Sequence, residues 1–223
     1  ISAWKMALHL LVPVIVSILL NEIQSNAFRR ISQTLIYLPH FLSWIILAGI
    51  LIDLLSPNGG LVNRFLKLFG AEPIFFLGSN KWFRFTLVFT DVWKEFGFGT
   101  IVYLAAITNI DPTQYEAATI DGANRFQRIM HVTLPNMRMI IVLMMVLSLG
   151  NVLNAGFDQV YNMYSEAVYS TGDILDTFIY RLSFKNGLWG QSAAVSMFKS
   201  VVSTLFISVS YLCAYKFADY RVF

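Results

Sequence analysis

Residues 111–135 read DPTQYEAATIDGANRFQRIMHVTLP, a polar stretch set between two apolar runs. Asp111 is a good helix N-cap, and Pro112 suits the first helical position, where its missing N–H costs nothing. Gln114, three residues after Asp111, makes an Asp-led relative of the capping box. The spacing predicts a short helix from about Pro112 to Ile120, broken at Asp121-Gly122. A second short helix is expected from about Ala123 to His131, with Phe126, Ile129 and Met130 on one side and Pro135 ahead of the next apolar run. A flexible tether would not need two helices joined at a glycine. A rigid knob with small residues and apolar anchors suits insertion into a groove on a partner. A helix lying on lipid headgroups is the other reading, and local physics weighs the two equally.

Outward from this stretch the chain is mostly apolar. A bilayer core takes about 20 apolar residues in a helix. Five candidate spans appear, at residues 2–21, 32–55, 84–108, 137–156 and 190–216. Pro13 and Pro39 fall inside the first two and predict kinks, since proline in lipid needs neighbours to satisfy the freed carbonyl. The connectors differ in kind. Residues 22–31 are short and end in Arg29-Arg30; 56–82 carry the turn signal Pro57-Asn58-Gly59-Gly60; 157–189 hold an expected amphipathic helix from Ile174 to Phe184.

Composition agrees with this reading. The 223 residues are 57% hydrophobic and only 13% charged, with a mean hydropathy of +0.61. Soluble domains carry about 25% charged residues, so most of this surface must face lipid or other subunits. The expected fold is an all-α polytopic transmembrane bundle, one domain over 1–223, with 111–135 as its functional connector. The net charge of +3 is spread between the apolar runs rather than clustered, which argues against nucleic acid. With Cys213 as the one cysteine, no internal disulfide and no multi-cysteine metal site can form; Cys213 lies in an apolar stretch and reads as packing. The chain opens on Ile1 and is apolar by Met6, so a further N-terminal segment with room for another span is expected; residues 1–20 do not read as a cleaved signal. Basic residues divide almost evenly between the two sets of loops, and the positive-inside rule does not orient the chain.

Ionisable groups within spans carry a functional expectation by default. Asp91, Lys94 and Glu95 lie three and four residues apart and can partly neutralise one another. They are either an ion-pair cluster that locks packing or a pore-facing gate. Lys199 stands alone in the last span, to pair with one of these acids or to face a pathway. Asn151, Asn154, Asp158 and Tyr161 step by three, four and three, and would share a face if the helix continued past Gly156. Such amides, carboxylates and rings suit a sugar, but amides also join helices in lipid. His9 and His40 read as satisfied groups in helix packing. There is no Walker A pattern, no Gly-x-Ser-x-Gly and no HExxH, so no enzyme, metal or cofactor site is expected on this chain.

Glu116-Ala117-Ala118, then Asp121-Gly122-Ala123, then Leu134-Pro135 closely resemble the EAA loop of binding-protein-dependent ABC importer permeases. The resemblance implies that the loop is cytoplasmic and docks into a cleft on an ATPase subunit. Its coupling residues here would be Glu116, Ala117, Ala118, Asp121, Gly122, Arg125, Phe126, Leu134 and Pro135. Ala117 and Ala118 would allow close approach, Gly122 the turn, and Glu116 a pairing with a basic group. The strings GFDQVYNMYS (156–165) and DTFIYRLSFKNGLWGQSAAVSMF (176–198) resemble the outer region of the maltose-type carbohydrate permeases. Where many relatives carry Gly-Gly-Pro, this chain has Ser165-Glu166-Ala167, which shifts it toward polysaccharide and alginate-type importers. The implied assembly is an inner-membrane importer with a second permease, two ATP-binding subunits holding ATP and Mg, and an extracytoplasmic binding protein. The implied pathway residues are Asn151, Asn154, Asp158, Tyr161, Lys94 and Lys199. A small-solute permease, an ATP-independent channel or secondary carrier, and a membrane scaffold are the competing expectations.

Overall fold

A computed structural model describes the backbone of residues 1–218 and the side chains of residues 1–212. The side chains of Cys213 and Lys216, and Arg221 entirely, lie outside the described residues. Among the described residues there is no strand. The helices in chain order are α1 (Ser2–Asn21), α2 (Asn26–Tyr37), α3 (Trp44–Leu55), α4 (Leu61–Leu68), α5 (Asn80–Thr108), α6 (Pro112–Ile120), α7 (Arg125–Arg128), α8 (Leu134–Gly150), α9 (Phe157–Met163), α10 (Tyr169–Gly172), α11 (Leu175–Tyr180) and α12 (Trp189–Ala218).

Three described helices are long and apolar enough to cross a membrane: Ser2–Asn21, Arg125–Gly150 and Trp189–Leu212. The expected second span is a bent pair instead, Asn26–Phe41 and Trp44–Leu55 meeting at 99°. Pro39 explains the break: it lies in a 3₁₀ turn, Leu38–Phe41, and Ser43 then caps α3 by accepting the Ile46 N–H at 3.3 Å. The expected third span is α5, whose 29 residues reach about 44 Å at 1.5 Å per residue. Its mid-helix charges keep it out of the strongly apolar set. The fourth span differs from expectation at both ends. It begins at Arg125 and stops at Gly150, so Asn151 to Gly156 are outside it. Pro135 sits in the first turn of α8, where its missing N–H is harmless, and does not mark a break.

The chain divides into two compact units. The first comprises Ile1–Lys5, Phe41–Trp93 and Asn151–Leu205. Its core joins Leu47, Ala48 and Leu51 of α3, Phe83 and Leu87 of α5, and Val160 and Met163 of α9. A buried polar cluster lies in the same unit. Lys5 Nζ donates to the Ala155 carbonyl at 2.8 Å and to Gln159 Oε1, and stands 3.2 Å from Asp91 Oδ1. Gln159 is fully buried and donates through Nε2 to the Leu87 carbonyl and Thr90 Oγ1, both at 2.8 Å. In lipid, packing and internal hydrogen bonds replace the hydrophobic effect as the force between helices, and this cluster supplies both.

The second unit comprises Met6–His40, Lys94–Gly150 and the chain from Phe206. Tyr103, Ile107 and Met137 form its buried centre, with Val14 and Ile18 of α1 packed against them. Pro13 of α1 faces a notch at Gly99 of α5, where an added Cβ would lie 3.1 Å from the proline ring. Arg29 closes the end of α1, donating to the carbonyls of Leu20, Asn21 and Ile23 at 3.1, 2.7 and 3.2 Å. A guanidinium on the last carbonyls of a helix satisfies groups that have no partner inside it and complements the helix dipole.

Candidate functional site

The polar connector of the second unit folds into two arms joined at Gly122. Asp111 caps the first arm, α6, by accepting the Thr113 N–H at 2.9 Å. The expected reciprocal bond from Gln114 does not form, because Gln114 Oε1 accepts from Asn136 Nδ2 at 2.8 Å on α8. Asp121 ends the helix and Gly122 turns the chain at φ +79°, a left-handed conformation that glycine adopts without the Cβ penalty. The second arm starts at Asn124, one residue later than expected, with a full capping box: Asn124 Oδ1 accepts the Gln127 N–H and Gln127 Oε1 accepts the Asn124 N–H. It does not end near His131. A π-helical stretch, Ile129–Thr133, carries it directly into α8. The second arm is therefore an extension of a membrane helix, where a short helix ending near His131 was expected.

Side chains absent from the sequence reading fasten the arms together. Arg128 Nη1 donates to Thr119 Oγ1 at 3.1 Å, and the Tyr115 and Thr133 hydroxyls meet at 3.0 Å. The pattern Asn124-x-x-Gln127 was a readable signal for the second cap; the cross-arm bonds depend on the turn and were not. Of the anticipated coupling residues, Glu116, Ala117, Asp121, Gly122, Arg125, Phe126 and Pro135 are exposed, while Ala118 and Leu134 are half-buried. Two apolar side chains at the tip are strongly exposed, Ile120 at 86% and Phe126 at 69%.

The hydrogen bond from Thr113 holds the Asp111 carboxyl below its usual pKa. Because the folded value is the lower one, the cap's contribution is complete above the ordinary carboxylate pKa and is lost as pH falls through the depressed value. Acidification is expected to reduce the hydrogen-exchange protection of α6 amides, after correction for intrinsic rates. Asp111→Asn, which keeps a capping oxygen that does not titrate, is expected to remove that dependence. An acid response unchanged in the variant would contradict this role.

The anticipated pathway residues do not form a stripe. The chain turns after Gly150, and Gly156 takes φ +87° before α9 begins, so Asn151 and Asn154 sit in a turn while Asp158 and Tyr161 lie on α9. Within the first unit Asn154 is brought to Lys199, whose Nζ donates to Asn154 Oδ1 at 2.8 Å and to Asp176 Oδ1 at 2.5 Å. Lys199 thus pairs with Asp176 of α11, which composition alone had not singled out. Tyr161 donates to the Tyr180 hydroxyl at 3.2 Å and stacks on Phe157 at 5.3 Å. Tyr180, Phe184 and Trp189 continue the aromatic run at 5.0 and 5.2 Å. Arg181 lies 4.5 Å over Tyr169 and pairs with Asp173 at 2.5 Å, which raises its pKa above the ordinary value. Burial, with Tyr169 beside it, pushes the Tyr164 phenol up to about 12.

The members of the expected Asp91–Lys94–Glu95 cluster take partners beyond one another. Asp91 belongs to the first unit with Lys5. In the second, Lys94 donates to Glu95 Oε1 at 2.7 Å and to the His40 carbonyl at 2.9 Å, and His40 Nδ1 lies 2.7 Å from Glu95 Oε2 while stacking on Phe98 at 4.0 Å. Lys94 and Glu95 thus pair as neighbours in sequence. No group of side chains suited to a metal ion occurs among the described residues.

A family model for the binding-protein-dependent transport system inner membrane component matches residues 9–222. The chain is 38% identical over 221 residues to the polygalacturonan/rhamnogalacturonan transport system permease protein YteP of Bacillus subtilis (strain 168), with 99% of this chain and 69% of that protein covered. It is 41% identical over 211 residues to protein LplB of the same organism, covering 95% of this chain and 66% of that one. The chain therefore spans about two thirds of the length of these relatives. Its fold is similar to a solved bacterial ABC transporter involved in the import of the acidic polysaccharide alginate, with a TM-score of 0.92 and 35% identity over 97% of this chain and 77% of that one. A second structure of a bacterial alginate ABC transporter, in complex with an alginate pentasaccharide-bound periplasmic protein, matches with a TM-score of 0.91 and 36% identity, over 96% of this chain and 76% of that one.

Proposed function

The chain belongs to the family of binding-protein-dependent transport system inner membrane components, and from that premise we propose that it is a permease subunit of an ATP-driven importer of an acidic oligosaccharide or polysaccharide. ATP hydrolysis takes place on partner chains, where ATP and Mg bind, and no step of it falls on this one. The assembly pairs the chain with a second permease and two ATP-binding subunits, and receives substrate from an extracytoplasmic binding protein.

The observation that carries the reading is the fastened knob of residues 111–135, whose tip presents Ile120 and Phe126 at 86% and 69% exposure. Exposed apolar anchors on a rigid two-arm frame suit a groove on a protein. Because the second arm runs without a break into α8, a push at the knob reaches the membrane helix directly. Closure of the ATP-binding subunits moves the two knobs, and the attached helices rock between inward-open and outward-open states. Acidic cargo is supported by what the relatives are named for, polygalacturonan and alginate. Saccharide cargo is also supported by the aromatic run of Phe157, Tyr161, Tyr180, Phe184 and Trp189, whose rings offer flat apolar faces to sugar C–H groups.

The test is uptake into proteoliposomes holding the complete assembly, with uronate oligosaccharides set against neutral ones of equal length. ATP-dependent uptake that favours the uronates is expected. Equal uptake of both would remove the acidic cargo, and flux without ATP would favour a channel or secondary carrier.

A further inference from the structure

Helix α4 lies in the connector between α3 and α5, and its three faces differ in kind. Leu61, Phe65 and Leu68 stand at positions one, five and eight of the helix, along one side, and Phe69 follows at its C-cap. They are 65%, 61%, 81% and 75% exposed. Asn63 on the far side is buried and ties the helix down: its Nδ2 donates to the carbonyls of Leu55, Ser56 and Ile74 at 3.3, 3.0 and 3.0 Å, and its Oδ1 accepts the Ile74 N–H at 2.7 Å. The roll of α4 about its axis is fixed by that amide. Arg64 and Lys67 occupy the arc between the buried face and the apolar stripe, and both are exposed. At the start of the helix Gly60 packs against α3, where a Cβ would lie 2.5 Å from the Leu54 carbonyl. On α3 itself Ile45, Ile46, Ile50 and Ile52 are exposed as well.

We propose that α4 is an interfacial anchor, held by Asn63 so that Leu61, Phe65, Leu68 and Phe69 enter the boundary of the acyl chains while Arg64 and Lys67 reach anionic lipid phosphates. Two observations select lipid over a protein partner. The basic arc lies to one side of the stripe, as a helix at the headgroup level requires, with long cationic side chains reaching the phosphates. In addition, α4 starts against the end of α3, and α3 is half of a bent pair apolar enough to count as one membrane span. The anchor holds the 56–79 connector at membrane level and restrains the start of α5.

The test places a nitroxide in turn at residues 61, 64, 65, 67 and 68 of the full chain, in a Cys213→Ser background, in phosphatidylethanolamine/phosphatidylglycerol vesicles. Collisions with oxygen are compared with those of a water-soluble nickel chelate. Oxygen is expected to dominate several-fold at 61, 65 and 68, and the nickel reagent at 64 and 67. Nickel access at all five positions would overturn the proposal in favour of a water-exposed helix. Exclusion of both reagents at 61, 65 and 68 would overturn it in favour of a covering protein subunit. A second variant leaves the stripe intact: Arg64→Gln with Lys67→Gln is expected to abolish the gain in thermal stability that phosphatidylglycerol gives the wild-type chain over phosphatidylcholine. An undiminished gain would remove the phosphate contact.

Discussion

Asp91→Ala is expected to destabilise the folded chain by about 3–5 kcal/mol, the cost of breaking a buried ion pair by removing one partner. Asp91 and Lys5 have side chains only 10% and 7% exposed, and the charges stand 3.2 Å apart. Removal of the carboxylate leaves the ammonium buried beside two neutral acceptors, the Ala155 carbonyl and Gln159 Oε1. The loss spreads from there. Ala155 precedes the left-handed Gly156, and Gln159 ties α9 to α5 through Leu87 and Thr90. Thermal unfolding of the solubilised chain measures the effect. The pair Lys5→Met with Asp91→Leu removes both charges and is expected to recover most of it, since apolar replacement of a whole buried pair is often neutral. A single-variant loss below about 1 kcal/mol, the range of exposed pairs, would show that water reaches the site.

Gly97→Ala is the second large effect, expected at about 3 kcal/mol, the upper end of the usual cost of overpacking. A Cβ at Gly97 would lie 1.9 Å from the Ile36 carbonyl oxygen and 2.5 Å from its carbon. The obstacle is the backbone of α2, which cannot rotate away as a side chain can. The methyl group can be housed only if α2 and α5 separate within the second unit. The pair His40–Glu95, which joins the turn after α2 to α5, would be strained with it. A much lower yield of monodisperse protein and a lowered melting temperature are expected. Gly99→Ala serves as control: its Cβ would meet the Pro13 ring at 3.1 Å, a contact relieved by a small shift. Equal behaviour of the two variants would contradict a close backbone crossing at Gly97.

Much of the fold was legible because lipid imposes a simple rule. Apolar runs of sufficient length located α1, α8 and α12, and Pro39 located the break that turns the second run into two helices. Local chemistry located the knob as well, since Asp111, Pro112 and Gly122 each have a mechanical reason for their place. Long-range pairing was not legible. Lys5 and Asp91 are 86 residues apart in sequence (91 minus 5), and nothing near Lys5 announces its partner. The stripe from Asn151 to Tyr161 is split for a different reason. A shared face was conditional on a helix continuing past Gly156, whose φ of +87° instead redirects the chain, and Asn154 is brought to Lys199. Asn63 has no neighbour in sequence that marks its role, yet it ties α4 to Leu55, Ser56 and Ile74.

The central claim is that the tip of the 111–135 knob seats on a nucleotide-binding subunit, and a photo-crosslinker at Phe126 tests it most directly. With benzoylphenylalanine at that position in the full chain, expressed in its native cell, illumination is expected to join the chain to a protein carrying a Walker A sequence. The adduct should be lost when Gly122→Val forces a β-branched residue into the left-handed turn, while the chain remains inserted. Crosslinks to lipid alone, or an adduct unaffected by Gly122→Val, would contradict a docked knob and return residues 111–135 to an interfacial helix.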